Sequence, residues 1–263
     1  MVEKKFTRET VIIGLGGGVV GDIAGLTASL FMRGIPIIQI PTTLLAMVDS
    51  SIGGKTGVNI HGGKNIIGTF NIPKTVFIDP YMLKTLSKKH IKNGLAEIIK
   101  YGIIKSPKLF SSIEKNLEKI MEIDTEILSK IIKECIKIKE EIVKKDPTER
   151  KIRKILNFGH TFGHVIEKKS NYTLLHGFAI ALGMTLASQK AEQKGLLKTK
   201  DLIRIKNLLK KAGLPVYTMN KPTLEEMATD KKTTTDNSSK SRFVNLILPT
   251  KIGEVIIQKE KTK

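Results

Sequence analysis

Apolar and polar positions along this chain follow two different rhythms. Between residues 10 and 80 the apolar residues come in short runs broken by glycine or proline. VIIGLGGG is an apolar run that ends in glycines, and IPIIQIPTT is a β-branched run stopped at Pro41. TVFIDP is a third run, and VVGDIAGLTASLFMRG, between the first two, is helix-like and ends at Arg33-Gly34. Strands alternating with a helix predict a parallel sheet with a crossover. From about residue 82 the spacing becomes three and four. KKHIKNGLAEIIKYGII, SIEKNLEKIMEIDTEILSKIIKECIKIKEEIVKKD, ILNFGHTFGHVIEKKS, FAIALGMTLASQKAEQKG and KDLIRIKNLLKKAG are amphipathic helical runs. TDKKTTTDNSSKS, residues 229 to 241, reads as a polar loop, and RFVNLILPTKIGEVIIQ as a terminal strand pair around a Pro/Gly turn. The expected architecture is an α/β N-terminal part, residues 1–84, followed by a mostly α-helical part, 85–263. A cleft between them is the default site.

Composition changes little in that picture. Of 263 residues 40% are hydrophobic, enough for a real core, and no apolar run reaches the ~18 residues of a membrane helix. The single cysteine, Cys135, forbids an internal disulfide and predicts a cytoplasmic, reducing compartment. Glycines and Asp22 interrupt the N-terminal apolar stretch, which excludes a signal peptide. The net charge of +20 is carried by scattered lysines, with sparse arginine, 5% aromatics and no tryptophan. Nucleic-acid readers lean on arginine and stacked aromatics, so no nucleic acid is expected as partner, and with no apolar run of membrane length no membrane is expected either. A small phosphorylated anion suits the charge equally well.

Three segments carry candidate chemistry. Gly16, Gly18 and Gly21 satisfy G-x-G-x-x-G after a strand and before a helix, a placement that suits a phosphate. No acid lies between Asp22 and Asp49, although the dinucleotide pattern wants one about 20 residues on for a ribose. DSSIGGKTGVNIHGGKN, residues 49 to 65, looks like a loop with two Gly-Gly-Lys units, Lys55 and Lys64. Lysine charges beside close-approaching glycine backbone, flanked by Asp49 and Asn65, read as an anion site. In LNFGHTFGHVIE, His160 and His164 share a helical face, and His176 opens the next apolar helix. Glu97 sits on an otherwise apolar helical face, where an unpaired carboxylate is costly, with Lys100 one turn on. Two histidines and a glutamate with one open position are the layout of a catalytic zinc site. The residues alone do not say which two histidines bind.

Together, GGGVVGDIAG, RGIPIIQIPTTLLAMVDSSIGGKTGVN, GKNIIGTF, GLAEIIKYG, the segment from Glu149 to Glu167, LHGFAIALGM and the DKK of 230 to 232 resemble the 3-dehydroquinate synthase family, in family order over nearly the whole chain. The resemblance implies an incomplete Rossmann-like nucleotide domain followed by a helical metal- and substrate-binding domain. It implies transient NAD, one divalent metal (zinc, or cobalt), a seven-carbon keto sugar phosphate as substrate, and a homodimer. Carried over residue by residue, Glu97, His160 and His176 would hold the metal, and His164 would move protons. Lys100, Lys139, Arg153, Asn157 and Lys55 would be catalytic. NAD contacts would fall on Gly18, Val19, Val20, Gly21, Asp22, Thr42, Thr43, Lys55, Lys64, Met82, Leu83, Lys84 and Thr85. Substrate contacts would fall on Asp49, Lys64, Asn65, Lys139, Arg153 and Lys232, with Arg33 reaching phosphate from the partner subunit.

The chain also departs from the family pattern. A typical member has a substantial segment before GGGVVGD, whereas about ten residues precede the first strand here, which accounts for the missing ribose acid. His90 stands where a glutamate is usual, Ser87-Lys88 replace a proline-containing pair, and the loop after residue 232 lacks its usual glycine. Three rivals follow: a sister sugar phosphate cyclase, a metal-dependent polyol dehydrogenase, and a truncated non-catalytic remnant.

Overall fold

The computed structural model of the protein describes residues 1–60, 63–228, 233–236 and 241–262. Its chain divides into two compact units, residues 1–94 with 123–144, and 95–122 with 145–263.

The first unit is built on a parallel sheet. β1 (Ile12–Gly16) pairs with β2 (Ile37–Pro41), and β2 with β5 (Thr75–Val76), both parallel as the alternation of runs predicts. α1 (Gly18–Leu30) makes the crossover. It lies close on the sheet because small residues face it: a side chain at Gly14 would stand 3.1 Å from Ala24 Cβ. Ala28, Ile35 and Ile37 form the core here, with Ile12, Ala24 and Phe31 packed against them. α1 ends at Leu30, short of the expected Arg33-Gly34. The chain leaves through a 3-10 turn in which Met32 and Arg33 take positive φ of 47° and 67°.

The expected loop at 49 to 65 is corrected by the structure. β3 (Lys55–Ile60) and β4 (Gly63–Phe70) form an antiparallel hairpin. Its glycines hide a β-branched alternation, Thr56 and Val58 facing Thr69 and Ile67. The hairpin is tied to α1 by Thr69 Oγ1, which donates to Ser29 Oγ at 2.9 Å, and by Asn71 Nδ2, which donates to the Gly25 carbonyl at 3.0 Å. The single helical run expected over 112 to 146 is two helices, α3 (Pro107–Met121) and α4 (Thr125–Lys145). Ile123 breaks it at φ 62°, and the Asp124 carboxylate accepts from the N–H groups of Glu126 and Ile127. α4 falls almost wholly in the first unit and α3 in the second.

α2 (Lys88–Ile104) precedes them and is almost fully buried from Asn93 to Ile104. In the second unit, α5 (His160–Lys169) and α6 (His176–Gln193) pack through glycine. A side chain at Gly163 would stand 2.7 Å from Ile180 and 3.1 Å from the Ala179 carbonyl. Ile166, Ala179 and Leu182 fill the space beside this contact. α7 (Thr199–Lys211) and the short α8 (Leu224–Ala228) follow. An antiparallel sheet of order β6 (Thr233–Asp236), β7 (Ser241–Lys251), β8 (Glu254–Lys261) closes the chain. The terminal strand pair is as predicted, but part of the expected polar loop is the strand β6. Thr161 Oγ1 donates to the Asn245 carbonyl at 3.3 Å, which ties α5 to the central strand.

Candidate metal centre and nucleotide turn

Three elements of the second unit deliver one cluster. α2 carries Glu97, which is 0% exposed, and Lys100 one turn on, 1% exposed and ion-paired with Glu97 Oε2. The ILNFG run expected as helix is instead a 3-10 stretch, Ile152–Asn157, and the chain turns at Gly159 with φ +79°. Only glycine sits there without strain. His160 is therefore the first residue of α5, and His176 the first of α6.

His160 Nε2 lies 3.6 Å and His176 Nε2 3.4 Å from Glu97 Oε1. One ligand atom from each of Glu97, His160 and His176 lies within 4.8 Å of the others. His160 Nδ1 is 3.1 Å from the Phe158 carbonyl, and His176 Nδ1 is 3.4 Å from Glu167 Oε2. Both rings thus have an acceptor behind them and an Nε2 in front. His164 stands beside the set, its ring centroid 5.4 Å from that of His160 and 6.4 Å from that of His176. Burial works to lower the pKa of His176, but the Glu167 and Glu97 carboxylates outweigh it and hold it at about 9. A pocket that attracts a proton this strongly is electrostatically suited to a cation. Two imidazole nitrogens and a carboxylate oxygen converging in a buried pocket fit a divalent metal of the zinc type.

The segment before His160 is held by a buried acid. The Asp146 carboxylate accepts from the N–H groups of Arg150, Lys151 and Arg153 at 2.9, 2.6 and 3.0 Å. Arg153 is 2% exposed, and its guanidinium donates to the Pro147 carbonyl. The Asn157 amide donates to the Glu149 carboxylate. Arg153 and Asn157 are thereby fixed in the few residues leading to His160.

A second group of expected residues lies in the first unit. Gly17 caps α1, and a side chain on it would stand 3.1 Å from Thr43; one on Gly18 would stand 3.0 Å from Ser50 Oγ. The Thr42 N–H donates to the Gly16 carbonyl at 2.8 Å, so Thr42 and Thr43 border the glycine turn. This bare backbone at the start of a 13-residue helix fits a pyrophosphate. Val19 and Val20 are exposed on the first turn of α1, 71% and 43%. Asp22 lies a turn on, past Gly21, near Lys139 and Asp49, and Lys139 ion-pairs with the Asp49 carboxylate while donating to its carbonyl at 2.6 Å. Burial is the largest influence on Asp22 and pushes its carboxyl up to about 6; Lys139 opposes the rise and Asp49 reinforces it. Lys139 comes from α4 and Asp49 from a π-helical turn, Ala46–Ser50, so two residues 90 apart in sequence meet.

Other expected residues are not gathered. Lys55 opens β3, whereas Lys64 is the second residue of β4, so the two Gly-Gly-Lys units lie at opposite ends of the hairpin rather than in one loop. Asn65, at φ 50°, receives its backbone contact from Asn59, whose side-chain oxygen accepts the Asn65 N–H at 3.0 Å. Met82, Lys84 and Thr85 are exposed on the 3-10 segment Pro80–Thr85, while the Leu83 side chain is buried in the core and leaves only backbone to a ligand. Lys84 Nζ lies 3.8 Å above the Tyr81 ring. Arg33 is exposed on the 3-10 turn after α1. Lys231 and Lys232 lie outside the described residues.

Sequence reasoning missed Glu167, the Phe158 carbonyl, Glu149 and Asp146. Glu167 had a readable sign, because it lies seven residues after His160 and so on the same helical face. The others depend on turns that no periodicity announces.

Residues 1–93 match the family model described as 3-dehydroquinate synthase N-terminal, and 94–233 the one described as 3-dehydroquinate synthase C-terminal. The chain is 50% identical over 256 residues to a 3-dehydroquinate synthase of Prochlorococcus marinus (strain MIT 9312), covering 95% of this chain and 69% of the relative. It is 46% identical over 254 residues to that of Vibrio atlanticus (strain LGP32), covering 96% and 70%. Among solved structures it is similar to 2-epi-5-epi-valiolone synthase from Streptomyces hygroscopicus subsp. jinggangensis 5008, solved with NAD+ and Zn2+ bound. That match has 32% identity and a TM-score of 0.88, over 99% of this chain and 72% of that one. A 2-deoxy-scyllo-inosose synthase complexed with carbaglucose-6-phosphate, NAD+ and Co2+ aligns with a TM-score of 0.85 at 28% identity, over 99% and 73%. An iron containing alcohol dehydrogenase shares the fold at 18% identity and a TM-score of 0.56.

Proposed function

Because the chain belongs to the 3-dehydroquinate synthase family, we propose a division of labour among its residues for that reaction. The enzyme converts 3-deoxy-D-arabino-heptulosonate 7-phosphate to 3-dehydroquinate and phosphate, with NAD and a divalent metal. When bound, NAD+ supplies a hydride acceptor that is restored within the turnover, and the cation supplies positive charge against a substrate oxygen.

Glu97, His160 and His176 hold the cation, zinc being our choice. Lys100 neutralises the second oxygen of Glu97 and presents an ammonium to the substrate. His164, one turn along α5 from His160, takes and returns protons. Arg153 and Asn157 hold substrate oxygens from the segment that Asp146 fixes. Asp49 orients the Lys139 ammonium, and both contact substrate, as do Asn65, Lys64 and Lys232. Lys55 serves the chemistry and the cofactor. NAD lies against Gly18, Val19, Val20, Gly21 and Asp22, with Thr42, Thr43, Lys64 and the segment Met82, Leu83, Lys84 and Thr85 at its edges. We assign the partial NAD-binding domain to residues 1–84 and the helical metal- and substrate-binding domain to 85–263, with Asp49, Lys64 and Asn65 as substrate contacts from the first. A homodimer lets Arg33 reach the substrate phosphate of the partner. We place the chain in the cytoplasm, a reducing compartment that suits its single, buried cysteine.

The observation that carries this reading is the convergence of Glu97, His160 and His176 within 4.8 Å in a chain 50% identical to a 3-dehydroquinate synthase. The lower identities to the other cyclases, 32% and 28%, favour the dehydroquinate product over theirs. The test is a product assay with the heptulosonate phosphate, NAD+ and Zn2+ or Co2+. Equimolar phosphate and 3-dehydroquinate, with no net NADH, is the expected result. Steady NADH release would instead identify a polyol dehydrogenase, and a different ring product a sister cyclase.

A further inference from the structure

We infer that Glu167 is a positioning residue for the metal centre, setting the tautomer and donor strength of His176. The inference rests on Glu97, His160 and His176 being the ligand set. Glu167 is 2% exposed on α5, and a buried carboxylate is retained only where it is paired. It follows His160 by seven residues, so one stripe of α5 carries His160, His164 and Glu167. Its Oε2 lies 3.4 Å from His176 Nδ1. An ionised carboxylate only accepts hydrogen bonds, so Nδ1 of His176 carries the hydrogen and donates. In the neutral ring, the form that ligates a metal, the lone pair is then on Nε2, which faces Glu97 Oε1 at 3.4 Å. A ring flip would exchange the two nitrogens, and the Glu167 contact opposes it.

His160 holds its ring without such a side chain. That ring is oriented in the same way, its Nδ1 3.1 Å from the Phe158 carbonyl, an acceptor that no side-chain substitution removes. His176 depends on a side chain, and it is the more exposed imidazole, 29% against 10%. It also stands at the first position of α6, with no preceding helical turn to pack against. A carboxylate behind an imidazole ligand raises the basicity of the coordinating nitrogen, and removing such a partner weakens metal binding about 10–100-fold.

The experiment compares the wild-type protein with Glu167→Gln and Glu167→Ala. Each is stripped with a chelator and titrated with Co2+ against a chromophoric competitor, and thermal melts are taken of the metal-free proteins. The expected result is a Kd for Co2+ raised about 10–100-fold in Glu167→Gln, still with one ion per chain at saturation. The metal-free melt of Glu167→Gln should stay close to wild type, since the amide keeps the shape and an acceptor oxygen. Glu167→Ala should bind more weakly again, and if it does not fold, the isosteric variant carries the test. A Co2+ affinity within twofold of wild type in Glu167→Gln would overturn the inference. So would an affinity loss accounted for by a lowered metal-free melt, because a merely structural carboxylate behaves that way. A wild-type protein that binds no Co2+ would overturn both this inference and the ligand assignment.

Discussion

His160→Ala and His176→Ala are each expected to purify without metal and without activity, while His164→Ala keeps one ion per chain and loses turnover. The three imidazoles are neighbours, with ring centroids 5.3 to 6.4 Å apart, so proximity alone does not separate their roles. Orientation does. His160 and His176 each have Nδ1 against an acceptor and Nε2 3.6 and 3.4 Å from the same Glu97 oxygen. His164 lies outside the set of donor atoms that close to within 4.8 Å. Loss of one of three protein ligands leaves a two-point site that does not retain zinc through purification. Loss of a proton-transfer group lowers kcat about 10²–10⁴-fold with the ion in place. Metal content by atomic absorption, read beside kcat, checks the division. Equal metal loss in all three variants would refute it.

Gly183→Ala is expected to be the most damaging small substitution near the site, lowering stability by about 3 kcal/mol or more and the melting temperature by roughly 6–12 °C. A methyl group there would fall onto the Gly159 carbonyl oxygen and stand 2.8 Å from the Gly163 nitrogen. Both obstacles are backbone, which cannot swing aside as a side chain can. Gly159 is itself pressed on α6, since a side chain there would stand 2.9 Å from Met184 N. The contact matters for function because Gly159 precedes His160, and α6 begins with His176. Separating α5 from α6 therefore separates two ligands, and metal content should fall with the melting temperature. Gly195→Ala is the control. Gly195 has a positive φ, +70°, which the helical Gly183 does not, but nothing lies within 4 Å of the added methyl, so only about 1–2 kcal/mol of backbone strain is expected. Thermal melts of the two variants decide. Equal losses would mean that α5 and α6 have room to move apart.

How far the sequence could be read depended on whether a feature was periodic. The parallel sheet and α1 were legible because β-branched runs and glycine punctuation alternate over residues 12–41. α6 and α7 were legible from their apolar spacing. The β3–β4 hairpin was misread as a loop because its glycines and lysines masked the alternation of Thr56 and Val58 with Thr69 and Ile67. The break between α3 and α4 was missed because Ile123 is β-branched and no sequence rule places it at positive φ. In the site, Glu97 was conspicuous as an acid on an apolar face, and His160 with His164 by their spacing. Which histidines faced the carboxylate depended on the Gly159 turn, which made His160 a helix start rather than a mid-helix residue. The pairing of Lys139 with Asp49 joins residues 90 apart, and no local pattern reports it. Glu167 could have been noticed from its i+7 relation to His160, but its partner lies on another helix.

One divalent cation held by one carboxylate and two imidazoles is the centre of the proposed chemistry. Diffraction from crystals of the zinc-loaded protein, recorded on both sides of the zinc absorption edge, tests it most directly. It should give a single anomalous peak about 2.0–2.2 Å from a Glu97 carboxylate oxygen and from Nε2 of His160 and of His176. A peak coordinated by His164 in place of either histidine, or none beside Glu97 in fully loaded protein, would contradict it.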